Sequence, residues 1–392
     1  MRAPFPRGIA AARNFRALVG ASVCLLFGCA ANPGRIAGPR TAFPQAGAPP
    51  ESRAPLIGWF ESRYGVERIR ELSREGNSIV VPYVGSKGDA ESISLYLDAA
   101  ADEGLGVALQ IPGDFVQAGD MEAMAAWVDR FKDHPAVALW YLSDEPDINN
   151  VPPKNLAKAA SLLRARGGGH PIAVTFYRPE DARKRYSGSF DLLWLNYYPV
   201  LVGTPEFLSI RIGGFAARVA AGRRAADACK AGFGMIVQAY GPSDSGENQF
   251  NRRLPTRDEF SYMVWVSLKE NPTHLLFWSR YRTSEAWLEK VFHPVMEPVA
   301  RIAAEGIEAL GEKGFRLSRA QADIYRFRAA DRNYLAIIAD SRPIENADLA
   351  VPGGIEVHEA IVPPSATIRK LKPGRWRLNA PPFSVVVLEL RE

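Results

Sequence analysis

Cysteine is scarce in this chain: only three occur in 392 residues, at positions 24, 29 and 229. Cys24 and Cys29 fall in an N-terminal targeting segment, which leaves Cys229 alone in the remainder. An intramolecular disulfide framework, a thiolate metal site and a redox pair are therefore excluded. Histidine is equally sparse, with five scattered residues and no His-Glu-x-x-His spacing, so nothing points to a dedicated zinc site. No Walker-type loop is present. Gly167-Gly168-Gly169 precedes an apolar run rather than following one, so it reads as a loop and not a phosphate cradle. Gly241-Pro242-Ser243-Asp244-Ser245-Gly246 lacks the glycine two residues after the serine that a nucleophile elbow needs. Neither a metal nor an organic cofactor is expected.

Long hydrophobic runs are also missing. The longest candidate, Ala17 to Phe27, is too short to remain as a membrane-spanning helix. It follows Arg2, Arg7, Arg13 and Arg16, and this order is that of a cleavable export signal. The segment ends in Leu26-Phe27-Gly28-Cys29, which resembles the lipobox of bacterial lipoproteins, with Cys29 as the residue to be acylated. An ordinary cleaved signal without lipid is the alternative. In the lipoprotein pattern, Ala30 after the cysteine implies transfer to the outer membrane, with the periplasmic or the outer face left open. Residues 29–53 are rich in Pro, Gly and Ala and read as a tether. The whole chain carries a net charge of +5, but four arginines and no acid lie in residues 1–28, so the rest carries +1. Net charge thus gives no argument for nucleic acid or for an acidic substrate. Lys154, Arg164, Arg166 and the Arg223-Arg224 pair read as solvated helix faces rather than a nucleic-acid stripe.

From Pro55 onward, short apolar runs alternate with amphipathic stretches, the pattern of repeated βα units. Eight strands are predicted: Leu56–Phe60, Ser78–Tyr83, Gly106–Ile111, Val137–Leu142, Ile172–Phe176, Leu192–Tyr197, Met235–Ala239 and His274–Trp278. Eight strands without a phosphate-binding glycine fingerprint favour a closed (β/α)8 barrel over a doubly wound sheet, here over residues 54–312. Thr256 with Glu259 forms a capping box ahead of a helix over 257–269, and a long helix is predicted over 284–310. Residues 313–392 change rhythm to short strands separated by polar, Pro and Gly turns, and read as a small antiparallel β-sandwich. Its expected work is to cover apolar barrel surface, with carbohydrate binding as the alternative.

The fourth predicted strand is the most informative stretch. Ala138-Leu139-Trp140-Tyr141-Leu142 runs through Ser143 into Asp144-Glu145-Pro146. The proline cannot continue a ladder, so the two carboxylates fall at the strand's carboxyl end, where barrels keep their chemistry. The other strand ends add Trp59, Glu61, Tyr83, Gln110, Asp114, Tyr177, Asn196, Tyr198, Gln238, Tyr240, Trp278, Arg280 and Tyr281. Aromatic faces suit the apolar faces of sugar rings, and amides and carboxylates bind hydroxyls. For each aromatic the alternative is packing at the barrel rim.

His134-Pro135-Ala136-Val137 leading to Trp140-Tyr141-Leu142-Ser143-Asp144-Glu145-Pro146 resembles the strand-four motif of bacterial (β/α)8 glycoside hydrolases. These belong to the clan with its acid/base glutamate at the end of strand four. Asn196-Tyr197-Tyr198-Pro199, Gln238-Ala239-Tyr240-Gly241 and Leu254-Pro255-Thr256 leading to Phe277-Trp278-Ser279 resemble the same group. The resemblance implies Glu145 as general acid/base, and the strand-end reading gives Trp59, Glu61, Tyr83, Asn196, Tyr198, Gln238, Tyr240 and Trp278 as candidate sugar-binding residues. Two positions depart from the clan: Gln238 stands where its strand-seven nucleophilic glutamate would be, and Asp144 where it has asparagine.

Three readings follow. An adjacent Asp-Glu pair resembles that of barrel N-acetylhexosaminidases, in which the sugar's acetamide attacks, Asp144 orients it and Glu145 is the acid/base. A second carboxylate from Glu61, Asp114, Asp244 or Glu247 would instead serve as base or relocated nucleophile. A non-catalytic carbohydrate-binding lipoprotein is the third. Adjacent strand residues point to opposite faces, so Asp144 and Glu145 share the mouth only if the backbone turns there. Sugar and linkage, endo or exo action, stereochemistry and oligomeric state are not encoded in these patterns.

Overall fold

A computed structural model describes residues 54–62, 65–84, 89–241, 252–303, 307–311, 315–318, 322–329 and 331–391. The export signal, Cys29, the tether, Asp244 and Glu247 lie outside them. The core of the fold is a closed parallel barrel of eight strands in sequential order. They are β1 (Leu56–Ser62), β2 (Ile79–Tyr83), β3 (Gly106–Gln110), β4 (Val137–Asp144), β5 (Ile172–Phe176), β6 (Leu192–Asn196), β7 (Gly232–Gln238) and β8 (His274–Trp278). All eight predicted strands are present. Each is apolar on both faces because one face fills the barrel and the other meets the helix layer.

The barrel interior is filled by Phe60, Val81, Leu139, Tyr141, Trp194, Ile236 and Leu276. Trp194 enters this space because Gly234 on the neighbouring strand has no side chain: a Cβ there would lie 2.5 Å from Trp194 Cδ1. Phe60, Tyr141 and Trp194 meet at centroid distances of 5.3–6.4 Å and form an aromatic floor beneath the carboxyl-end mouth.

The predicted long helix over 284–310 is divided. A short turn Glu285–Trp287 and a wider π-turn Leu288–Phe292 precede the helix His293–Ala303. Pro294 and Pro298, which cannot donate to preceding carbonyls, stand at the start and in the middle of that last helix. The strand Glu308–Gly311 then joins a five-stranded sheet with Ala322–Ala329, Arg332–Ala339, Glu356–Ile361 and Val385–Arg391. The β domain therefore starts before residue 313, the boundary expected from sequence. A four-stranded sheet (Arg316–Leu317, Ile344–Ala350, Thr367–Lys372, Arg375–Ala380) completes the sandwich, with Leu335, Leu349, Leu378 and Leu388 in its core.

The helix Arg257–Lys269 is buried on two sides, between the barrel and the β domain. Its Trp265 lies 5.6 Å from the Phe327 ring, and its Tyr262 5.3 Å from Phe383. The capping box at its start is formed, with Thr256 accepting from the Glu259 amide and Glu259 from the Thr256 amide.

Candidate active site

The carboxyl end of β4 brings both carboxylates to the mouth by two local devices. Tyr141 pairs with Ala173 but Ser143 pairs with Val174, so Leu142 is an extra residue, a β-bulge. Without it, Asp144 would fall on the outer face with Leu142. With it, Asp144 pairs with Thr175 on the interior side, and the Tyr141 hydroxyl donates to Asp144 Oδ1 at 2.7 Å. Thr175 Oγ1 lies 3.0 Å from the same hydroxyl. Glu145 then takes φ +45°, the left-handed region that non-glycine residues seldom occupy, and this turns the next side chain to the mouth as well. Its amide still donates to Thr175 O at 3.0 Å, and its carbonyl accepts from the Ile148 and Asn149 amides. Asp147, buried just beyond, accepts from the Tyr177 and Arg178 amides and ties this loop to the end of β5.

Electrostatics separate the pair from ordinary carboxylates. Burial, then the adjacent Asp144 charge, pushes the Glu145 carboxyl up to about 7, against the pull of the Asn196 amide and Arg252. Asn196 Nδ2 donates directly to Glu145 Oε1. Burial also raises Asp144, which the Tyr141 hydroxyl partly offsets. A carboxyl with its midpoint near neutrality can hold a proton for transfer at physiological pH.

Tyr83, Tyr198, Tyr240 and Trp278 surround this pair. Tyr83 packs edge-on to Trp278 at 5.2 Å, and its hydroxyl is pushed up to about 12, by burial first and then by Asp144. Tyr198 meets Tyr240 edge-on at 5.3 Å, and both Asp144 and Glu145 act on its hydroxyl. Arg252 was not singled out from sequence; it donates to the Tyr240 hydroxyl at 2.7 Å and lies over the Tyr198 ring at 5.3 Å. The signal available was its place just ahead of Leu254-Pro255-Thr256. Asn196 Oδ1 is buried and has no donor among the described residues.

Several expected site residues lie elsewhere. Trp59 is fully buried outside the barrel wall, 5.1 Å from Phe277 and 4.7 Å from Phe292, because Phe60 rather than Trp59 takes the interior position. The same alternation sends Glu61 outward, where Arg68 and the Ser62 amide bind its Oε1. Gln238 is fully buried and its amide is used up: Oε1 accepts from the Val200 amide, while Nε2 donates to Val200 O at 2.9 Å and Arg253 O at 3.1 Å. It clamps the loops after β6 and β7 and is not presented to a ligand. Arg280 is buried against Glu71 and Glu285. Gln110 accepts from the Val84 amide, and Asp114 lies exposed on the helix Gly113–Ala118. A cavity of about 360 Å³ against Ile57, Asn77, Phe292 and Met296 lies in the helix layer and shares no residue with the mouth.

No protein-family model and no curated protein sequence matches this chain. Solved structures do. A glycoside hydrolase family 5 protein from Bacteroides vulgatus superposes with a TM-score of 0.53 at 10% identity, covering 86% of this chain and 89% of that one. A family 30 endoxylanase from Clostridium papyrosolvens gives 0.49 at 11% identity over 88% of this chain and 98% of its own. A β-galactosidase from the psychrophilic Marinomonas ef1 gives 0.46 at 12% identity over 57% of this chain. The chain spans about half of that protein, 54% of its length. At 10% identity the likeness to the Bacteroides vulgatus protein is one of fold alone.

Proposed function

We propose that this protein is a glycoside hydrolase with Glu145 as its general acid/base. The observation that carries this is the Asp144–Glu145 pair at the mouth, with Glu145 held by Asn196 and its carboxyl near 7. Cleaving a glycosidic bond requires a proton for the leaving oxygen, and a half-protonated carboxyl beside a wall of tyrosines can supply it. The likeness in fold to a family 5 glycoside hydrolase agrees with this reading.

The second group is Asp144 in this reading. Gln238 is unavailable as a nucleophile, being an amide with every polar atom committed to backbone. Glu61 faces the helix layer beside Arg68. That leaves Asp144 as the other described carboxylate whose charge acts on the same tyrosines as Glu145. Adjacent along the chain, it is suited to orient and polarise a 2-acetamido group that attacks the anomeric carbon. Tyr83, Tyr198, Tyr240 and Trp278 form the sugar-facing wall. We further propose that the chain is exported and anchored to the outer membrane through Cys29, which places its substrate in the cell envelope or outside the cell.

The test is hydrolysis of aryl glycosides and polysaccharides with and without a 2-acetamido group, by wild type and Glu145→Gln. Turnover confined to acetamido sugars and lost in the variant supports substrate assistance through Asp144. Turnover of sugars lacking that group assigns a different second carboxylate. Saturable glycan binding with no turnover by either protein replaces the enzyme with a carbohydrate-binding lipoprotein.

A further inference from the structure

Beneath the two carboxylates, β4 carries a further polar group into the barrel: the Tyr141 hydroxyl. Tyr141 and Thr175 are both fully buried. The Tyr141 ring is fixed by Phe60 at 5.7 Å and Trp194 at 5.3 Å. Among the described residues its hydroxyl meets Asp144 Oδ1 at 2.7 Å and Thr175 Oγ1 at 3.0 Å, and nothing else. The Thr175 hydroxyl, in turn, meets only Tyr141.

The direction of this row of hydrogen bonds follows from its protons. A phenol and an aliphatic hydroxyl each have one to give. Were Asp144 to donate from Oδ1 to Tyr141, Tyr141 would donate to Thr175, and the Thr175 proton would be stranded in the barrel interior. A buried donor without an acceptor is costly. Run the other way, every proton is used. Thr175 donates to Tyr141 and Tyr141 to Asp144, each bond strengthening the next, and an ionised carboxylate is the strongest acceptor on which the row can end. Oδ1 is thereby committed to the protein. Oδ2 is not: no described residue bonds it, and the buried polar atoms without a partner include Asn196 Oδ1 but not Asp144 Oδ2. Oδ2 therefore opens on the mouth.

The other charges around Asp144 do not make this choice. Glu145 and Asp147 lie beside it, and the Asp147 charge disfavours its ionisation. From facing elements, Tyr83 at the end of β2, Tyr198 past β6 and Tyr281 past β8 feel the Asp144 charge. The cations of the mouth, Arg252 and Arg282, act on Glu145 and on the tyrosines, and neither bonds Asp144. Two adjacent carboxyls resist joint ionisation, so a single directed hydrogen bond decides which of them gives up its proton first.

We infer that Tyr141, aligned by Thr175, is the positioning residue that keeps Asp144 as the anion of the pair and presents one oxygen, Oδ2, to the substrate, leaving the proton on Glu145. The inference rests on the glycosidase reading for what the substrate is; the row from Thr175 to Asp144 stands without it. In the substrate-assisted form of that reading, Oδ2 is the atom that accepts the acetamide N–H.

The experiment is carboxyl-carbon NMR of the full chain across pH, with the Asp144 and Glu145 signals assigned through Asp144→Asn and Glu145→Gln. In wild type, Asp144 should lose its proton at lower pH than Glu145. Tyr141→Phe keeps the ring and removes only the hydroxyl. It should raise the Asp144 midpoint by roughly one pH unit or more and lower that of Glu145, whose neighbour then stays neutral longer. Thr175→Val should move Asp144 the same way by less, and Thr175→Ser, which keeps a hydroxyl, should hold the wild-type midpoint. On aryl 2-acetamido glycosides, Tyr141→Phe should lower kcat by roughly tenfold or more with little change in KM. The acidic limb of kcat/KM should move up with the Asp144 midpoint. The expected midpoint shifts with no hydrolysis of any glycoside by wild type support the hold of Tyr141 on Asp144 while removing the enzyme reading. Hydrolysis that depends on Glu145, with the Asp144 midpoint unmoved in Tyr141→Phe, overturns the inference and leaves the enzyme reading standing. Glu145 losing its proton before Asp144 in wild type overturns it as well.

Discussion

Glu145 illustrates how one residue's surroundings set its chemistry. Its folded carboxyl, near 7, lies above its ordinary value of 4.5, so the folded state holds the proton more tightly than the unfolded chain. The sign follows: folding is penalised progressively as pH rises from about 4.5 through about 7, and not below that range. Glu145→Gln carries no such penalty. Its melting temperature should exceed wild type above pH 7 and converge with it near pH 4, as measured by thermal unfolding across pH; a constant offset would contradict this origin. Gln238 makes the complementary case. Gln238→Glu would aim a carboxylate at the carbonyls of Val200 and Arg253, so it should cost at least about 2 kcal/mol in urea unfolding and bring no gain in turnover. If instead it raised activity, the position would be a lapsed nucleophile and not a clamp.

At the scale of elements, the eight strands and the carboxylate pair were legible in the sequence because buried parallel strands leave uninterrupted apolar runs. The same property hid which alternate residues face inward. Trp59 and Phe60 are equally apolar and Glu61 follows directly, so nothing in β1 states that Phe60 fills the barrel while its neighbours face the helices. The bulge at Leu142 was equally invisible, yet it turns Asp144 from the helix layer to the mouth. Strand parity in a two-sided sheet is set by neighbouring strands, and local sequence does not report it. Arg252 went unnoticed because an arginine in a loop has no pattern until the rings beneath it are placed. Helix ends are different, since their signals are local. Thr256→Ala should remove one half of the formed capping box and lower stability by about 1 kcal/mol, readable as a shift in the urea midpoint at unchanged slope. No shift would mean that burial between barrel and sandwich fixes this helix without its cap.

For the whole molecule, the β domain covers the barrel through that same helix. Besides the Trp265–Phe327 and Tyr262–Phe383 contacts, the Tyr325 hydroxyl donates to Trp265 O at 3.2 Å, and Lys269 pairs with Asp323 at 2.7 Å. Barrel and sandwich thus share buried apolar surface, and calorimetry should show one unfolding transition for both. Truncation after residue 303 should give insoluble protein, because Tyr262 and Trp265 would face water. Two separated transitions, or a soluble folded barrel alone, would show that the sandwich is an appended module.

The central claim, that Glu145 donates the proton to the departing oxygen, is tested most directly by leaving-group dependence. kcat/KM is measured for wild type and Glu145→Gln across aryl glycosides whose phenols span a range of acidity. The account predicts a shallow dependence for wild type. For the variant it predicts rates close to wild type with the most acidic phenols, falling behind by roughly 10²–10⁴-fold as the phenol becomes more basic. Parallel slopes for the two proteins, or a variant impaired equally on every phenol, would contradict it.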